Sequence, residues 1–337
     1  MTRVAHIMAG AANGGAELFY ERLCLAQHAA GDDVLPIIRG NPARAGLLRA
    51  AGMAPMELSF GTALDVLTRP RIRRALTAFK PRVAVAWMNR ASMHLPRGDW
   101  VNIGRLGGYY DLRYYRACDH LVGNTHGIVA WLRNQGWPAA QAHYLPNFVA
   151  DFAATPPAPE VPAGRPLLLG LGRLHRDKGF DTTIRALPKL PEAIFMIAGE
   201  GPERGALEVL ARKVGVADRV MFLGWRRDAG ALLRAADVFV CSSRVEPLGN
   251  MVIEAWSARR PLVAVAADGP GELIRDGEDG LLVPHEDPAA LAEAIARVLR
   301  ERELAGRLAA KGRARFEGEF AQPAVLAQWR GFLAGVT

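Results

Sequence analysis

Two glutamates, Glu246 and Glu254, bracket a Pro-Leu-Gly turn in the segment SSRVEPLGNMVIEAWS. The first follows an apolar run; the second falls among Met251, Val252, Ile253, Ala255 and Trp256, which read as a buried helix. A carboxylate in such surroundings is costly unless something hydrogen-bonds it, so a ligand for it is expected. Carboxylates accept hydrogen bonds from sugar hydroxyls, whereas free N–H groups of Leu248, Gly249 and Asn250, at the start of that helix, suit a phosphate. Upstream, LGLGRLHRDKGFD sets Arg173 and Lys178 on a short loop after another apolar run. Two cations aimed at one spot suit a diphosphate, with a solvated basic loop as the alternative. The ensemble matches a sugar nucleotide: Arg173 and Lys178 for the diphosphate, Glu246 for the hexose, Glu254 for the ribose. Taken alone, Glu246 reads as a surface carboxylate. Arg173, Lys178 and Glu246 are the candidate catalytic residues.

Two further turns stand where a ligand could approach the backbone. GAANGGAELFYERL carries Gly14 and Gly15 at the opening of a helix, whose N-terminus favours an anion; a tight turn with no ligand is the alternative. AGEGPER ends a later strand with Gly199, Glu200 and Gly201, which singly is an ordinary strand-to-helix turn. A dinucleotide site is the weaker reading of the first turn. The spacing is not G-x-G-x-x-G, and DVLPIIRGN ends in Arg39 where such a site wants an acid.

These turns need elements to hold them. RVAHIMA, DVLPIIR, RVAVAWM, WVNIGRL and HLVGNT read as strands separated by helices, the pattern of a doubly wound parallel sheet. The Pro-rich stretch over residues 151–166 breaks the periodicity and reads as an interdomain hinge. The alternation then restarts with PLLLGLG, AIFMIAG, VMFLG, DVFVCSS and PLVAVAA. The expectation is an α/β chain of two Rossmann-like domains, residues 1–155 and 156–318, with ligands at the carboxyl ends of the strands and in the cleft between the halves. Residues 319–337 read as an apolar-faced helix that returns to the first domain.

Bulk properties agree. A chain of 337 residues exceeds the roughly 250–300 that one core supports. A formal charge of +8 points to an anionic partner without choosing among nucleotide, nucleic acid and acidic lipid. Cys24, Cys118 and Cys241 are odd in number and widely spaced, which gives neither a disulfide framework nor a zinc site and fits a reducing cytoplasm. No run approaches the roughly 18 apolar residues of a spanning helix. Positive charge concentrates in LTRPRIRRALTAFKPR, where Arg69, Arg71, Arg73, Arg74, Lys80 and Arg82 surround Ile72, Leu76 and Phe79 at helical spacing. Such a helix either lies on an anionic membrane or packs on a sheet with its basic face in water. Nucleic acid is disfavoured, because no binding motif accompanies the charge.

E-x7-E enclosing Pro-Leu-Gly, GRLHRDKG, GEGP, GGAE and DGPGELIRDGEDGLLVP together resemble the retaining glycosyltransferase family 4, glycosyl transferases group 1, with the GT-B fold. The likeness spans nearly the whole chain and is more specific in its second half. It implies donor binding by the second domain, acceptor binding by the first, and transfer of a hexose with retained anomeric configuration to a saccharide or lipid-linked saccharide, such as a lipopolysaccharide core. It implies that Phe222 and Leu223 pack against the base. It also implies action without metal or cofactor, and the chain has no D-x-D. The nucleotide sugar is then a co-substrate, the location cytoplasmic, and the basic helix a peripheral membrane contact. One departure stands out: Gly107 replaces a His that many relatives carry after the WVNIGRL strand. Gly107 and Gly108 would widen the acceptor pocket, with Asn89, Arg90, Tyr109, Tyr110 and His126 as contact candidates. A sugar-nucleotide epimerase and a catalytically silent partner subunit are the alternatives.

Overall fold

VAVAW is buried at all five positions, a pattern that a strand sustains in the middle of a parallel sheet covered on both faces. The computed structural model describes every residue except 1, 13, 62–64, 159–161, 163 and 337. Seven parallel strands form the sheet around VAVAW: β1 (Arg3–Met8), β2 (Asp33–Arg39), β3 (Met56–Leu58), β4 (Val83–Trp87), β5 (Val101–Leu106), β6 (His120–Gly123) and β7 (Ala142–Tyr144). Their order is β3-β2-β1-β4-β5-β6-β7. Six more make a second parallel sheet: β8 (Leu167–Leu171), β9 (Ile194–Ala198), β10 (Val220–Gly224), β11 (Val238–Cys241), β12 (Leu262–Val265) and β13 (Leu281–Val283). Its order is β10-β9-β8-β11-β12-β13. Both sheets are doubly wound. The strand order reverses between β1 and β4 in the first and between β8 and β11 in the second, and a crevice opens beyond the carboxyl ends at such a point.

The chain divides into two units, Met1–Phe148 with Gln322–Thr337, and Val149–Ala321. Val149 and, less deeply, Phe152 join the apolar core of the second unit, as do Phe316 and Phe320. The helix Gln322–Gly335 instead buries Val325, Leu326, Trp329 and Leu333 beside Phe19 and Leu23 in the first unit. Part of the sequence-marked hinge, residues 159–161 and 163, lies outside the described residues.

A polar chain crosses the core of the first unit. Trp87 Nε1 donates to His6 Nδ1 at 3.2 Å, so the proton of the neutral ring sits on Nε2, which donates to Gln27 Oε1 at 2.7 Å. Burial pushes the His6 pKa down from 6.5 to about 4, against the bond to Gln27 and the charge of Asp32. In the unfolded chain this ring protonates below about 6.5, while the folded ring stays neutral down to about 4. Stability from this group is therefore complete above the unfolded value and falls as pH drops between the two, by roughly 3 kcal/mol. Urea unfolding of the wild type and His6→Leu across that range should show the smaller acid loss in the variant.

Candidate active site

At the switch point of the second sheet, the loops after β8 and β11 meet. Lys178 ends a short turn, Arg176–Lys178, and its Nζ forms an ion pair with Glu246 Oε2. The other carboxylate oxygen, Oε1, accepts from Gly249 N at 3.2 Å. Glu246 is 9% exposed, so the two partners supply what water would otherwise give. The loops touch directly: Arg244 N donates to Asp177 O at 2.7 Å, backbone to backbone, and the Ser242 hydroxyl donates to Lys178 O at 3.1 Å. Gly179 makes this approach possible. Its φ is +59°, and a Cβ there would lie 2.0 Å from Ser242 O. Gly199 does the same for the loop after β9, where a Cβ would lie 1.9 Å from Gly172 O.

The sequence reading missed the residue that clamps these loops. Arg244 donates from Nη1 and Nη2 to the two oxygens of Asp181 at 2.7 and 2.8 Å, from Nε to Glu286 at 2.7 Å, and from Nη1 to Arg176 O at 3.0 Å. Burial alone would raise the Asp181 pKa, but the two bonds from Arg244 outweigh it and hold the carboxyl below its ordinary range. The same contacts push the Arg244 pKa upward. The guanidinium is thus a permanent cation tying β8 to β11. Cys241, at the end of β11, is no thiolate: burial, then the charge of Glu246, pushes its pKa up to about 11.

The remaining expected residues of this unit fall as follows. Arg173 is exposed on the loop after β8, with no side-chain partner among the described residues. Leu248 is buried, and Gly249 (φ +87°) caps the helix Asn250–Ser257, on which Glu254 is half-buried. The Gly249 N–H, expected to be open for phosphate, is taken by Glu246. Gly199, Glu200 and Gly201 follow β9; Glu200 O accepts from Leu174 N at 2.9 Å, and its side chain pairs with Arg204 at 3.4 Å. Phe222 packs on one core cluster and Leu223 on the other, and the strand's register shifts between Phe222 and Gly224.

In the first unit, the loop after β1 holds an anion that the chain itself supplies. Glu17, in the first turn of the helix Gly15–Ala29, accepts from Ala11 N at 2.7 Å. Its carboxylate fills the space beside Gly14, whose Cβ would stand 2.3 Å from Oε2. The expectation that Gly14 and Gly15 leave this turn open for a ligand anion is corrected accordingly. Next to this loop a cavity of about 310 Å³ lies at the switch point, lined by residues 9–11 after β1, Arg39 ending β2, residues 87–90 at the end of β4, and Tyr110. Asn89 and Arg90 are therefore brought together, on the helix Met88–Met93. Met88, a non-glycine residue at φ +61°, makes the turn.

Gly107, Tyr109 and His126 are not among the described residues lining this cavity. Tyr109 is exposed edge-on to Trp131 at 5.6 Å, and His126 stacks on Tyr144 at 3.8 Å. Gly107 has another role: a Cβ there would come within 3.2 Å of Arg105 Nη1. Arg105 is fully buried, bonded to Asn147 Oδ1 and packed over the rings of Phe19 at 5.1 Å and Trp87 at 5.0 Å. Burial brings its pKa down to about 10. A histidine at position 107 would press on this guanidinium, so the glycine makes room for an arginine.

Two doubly wound parallel sheets, each with its functional loops at a switch point, define the GT-B class of fold. A family model described as Glycosyl transferases group 1 matches residues 151–315. Lipopolysaccharide core biosynthesis glycosyltransferase LpsE of Rhizobium meliloti (strain 1021) is 35% identical, over 98% of this chain and 99% of that protein. LpsD of the same organism, with the same described role, is 34% identical over 96% and 95%. The crystal structure of Anabaena Alr3699/HepE in complex with UDP shares the fold, with a TM-score of 0.86 at 20% identity, covering 99% of this chain and 100% of that one. The chain belongs to the glycosyl transferases group 1 family and is a glycosyltransferase.

Proposed function

We propose that this enzyme moves a hexose from a nucleoside-diphosphate sugar to a hydroxyl of a lipopolysaccharide-core saccharide, with retained configuration and without a metal. The observation that carries the donor assignment is the Lys178–Glu246 pair at the switch point of the second sheet, with Arg173 on the same loop as Lys178. The described roles of LpsE and LpsD support the acceptor class. In the reaction the anomeric carbon–phosphate oxygen bond breaks as the bond to the acceptor oxygen forms. The acceptor proton passes to the departing diphosphate. Lys178 and Arg173 offset the charge that grows on that leaving group, Glu246 orients Lys178 and receives hexose hydroxyls, and Glu254 receives those of the ribose.

Incubating nucleotide sugars with and without core oligosaccharide tests this reading. Acceptor-dependent release of nucleoside diphosphate, an unchanged anomeric configuration by NMR and full activity in EDTA are expected. Acceptor-independent turnover of the donor would instead support an epimerase, and donor binding without turnover a silent partner.

We place the enzyme on the cytoplasmic face of an anionic membrane, held mainly by charge. In the helix Thr68–Phe79, Ile72 and Leu76 are buried in the first unit's core, so a full apolar face is not available for insertion. Arg69, Arg71, Arg73 and Arg74 remain exposed, as does Lys80 just beyond, with Val66 and Leu67 exposed just before it. No helix among the described residues is long and apolar enough to cross a membrane. Sedimentation with phosphatidylglycerol vesicles should show binding at 0.1 M salt that is lost near 1 M, where screening reaches roughly 3 Å, and lost at both in the variant with the four arginines changed to Glu. Equal binding to neutral vesicles would contradict it.

A further inference from the structure

The cavity of the first unit carries a chemical signature of its own. Arg39 and Arg90 line it, both are exposed, and neither has an ion-pair partner among the described residues. No Asp or Glu belongs to its described lining. The nearby acid, Glu17, is buried and already accepts from Ala11 N. Two free guanidinium groups call for an acceptor that bears charge, and they match phosphate or carboxylate oxygens in geometry. A volume of about 310 Å³ lies at the small end of ligand pockets, roughly 300–1,000 Å³, which suits one sugar residue.

We infer that this cavity takes an acidic sugar of the acceptor, whose phosphate or carboxylate is held by Arg39 and Arg90. The inference rests on the proposed acceptor role of the first unit, and it makes that role specific: the acceptor is recognised by charge. Loss of one charge-assisted hydrogen bond weakens binding about 10- to 100-fold.

Two measurements test it. The first needs no donor: NMR titration with glucose 6-phosphate, glucuronate and glucose. At least one of the two acidic sugars should bind the wild type, glucose should bind far more weakly, and Arg39→Ala and Arg90→Ala should each lose the preference. The second uses core oligosaccharide before and after removal of phosphate by hydrofluoric acid, or reduction of carboxyl groups. The treatment that removes the recognised group should raise KM for the acceptor 10- to 100-fold in the wild type, to the value shown by Arg39→Ala with untreated acceptor. Which treatment does so identifies phosphate or carboxylate. Glucose binding as tightly as the acidic sugars, or both treated acceptors keeping the wild-type KM, would overturn the inference. Calorimetric donor binding on the same preparations keeps the two readings apart, since its loss counts against the proposed function and not against this cavity.

Discussion

Lys178→Met is expected to lower the rate of transfer about 10²- to 10³-fold, by analogy with removing one donor from a preorganised oxyanion site. Charge on the departing diphosphate is greater in the transition state than in the bound donor, so the loss should fall mainly on kcat. Methionine is the informative replacement. The Lys178 stem runs close over Gly172, whose Cβ position lies 3.2 Å from Cε, and an unbranched apolar side chain keeps that packing. Glu246 loses its cation but retains the Gly249 N–H, which limits the cost in stability to roughly 1–3 kcal/mol. A melting temperature close to the wild type's together with a collapsed kcat would assign the loss to chemistry. A kcat within threefold of wild type would remove Lys178 from the reaction.

Gly179→Ala is expected to be as damaging through geometry alone. A Cβ would stand 2.0 Å from Ser242 O, backbone against backbone, where no side-chain rotation gives relief. The loops after β8 and β11 must then separate, and Lys178, next in sequence, moves away from Glu246. Misplacement by about 1 Å can cost 10²-fold in rate, and unit 2 should melt at a lower temperature. Gly215→Ala is the matched control. It also has positive φ, +73°, but nothing lies within 4 Å of its Cβ position. It should cost only the left-handed backbone penalty, roughly 1–2 kcal/mol, and leave turnover intact. Equal effects from the two substitutions would show that the close approach is unimportant.

The long strands were legible because their apolar runs are nearly continuous, as in VAVAW and LLLGL. Met56–Leu58, Ala142–Tyr144 and Leu281–Val283 were not, since three residues carry no periodicity and become strands only by pairing with a neighbour at the edge of a sheet. Among the site residues, the loops could be read from their glycines and charges. Their pairing could not, because Lys178 and Glu246 are far apart in the chain and only the β8–β11 adjacency joins them. Arg244 escaped notice for the same reason: its partners are distant in the chain, Asp181 in the first turn of the helix Phe180–Ala186 and Glu286 on the loop after β13. Arg39 first figured only as an argument against a dinucleotide site. The fold turns it into part of a cavity by ending β2 beside the β1–β4 crevice. Glu17 shows the converse error, since a glycine-rich turn at a helix start can make room for the chain's own carboxylate.

The account depends most on a diphosphate being held by the loops after β8 and β11. Thermal unfolding with UDP-, GDP- and ADP-sugars tests this directly, because a ligand at 100 times its Kd stabilises by about 2.7 kcal/mol. At least one donor should raise the melting temperature of the wild type, and that shift should shrink in both Lys178→Met and Arg173→Ala at the same concentration. No shift with any donor, or a full shift in both variants, would contradict the account.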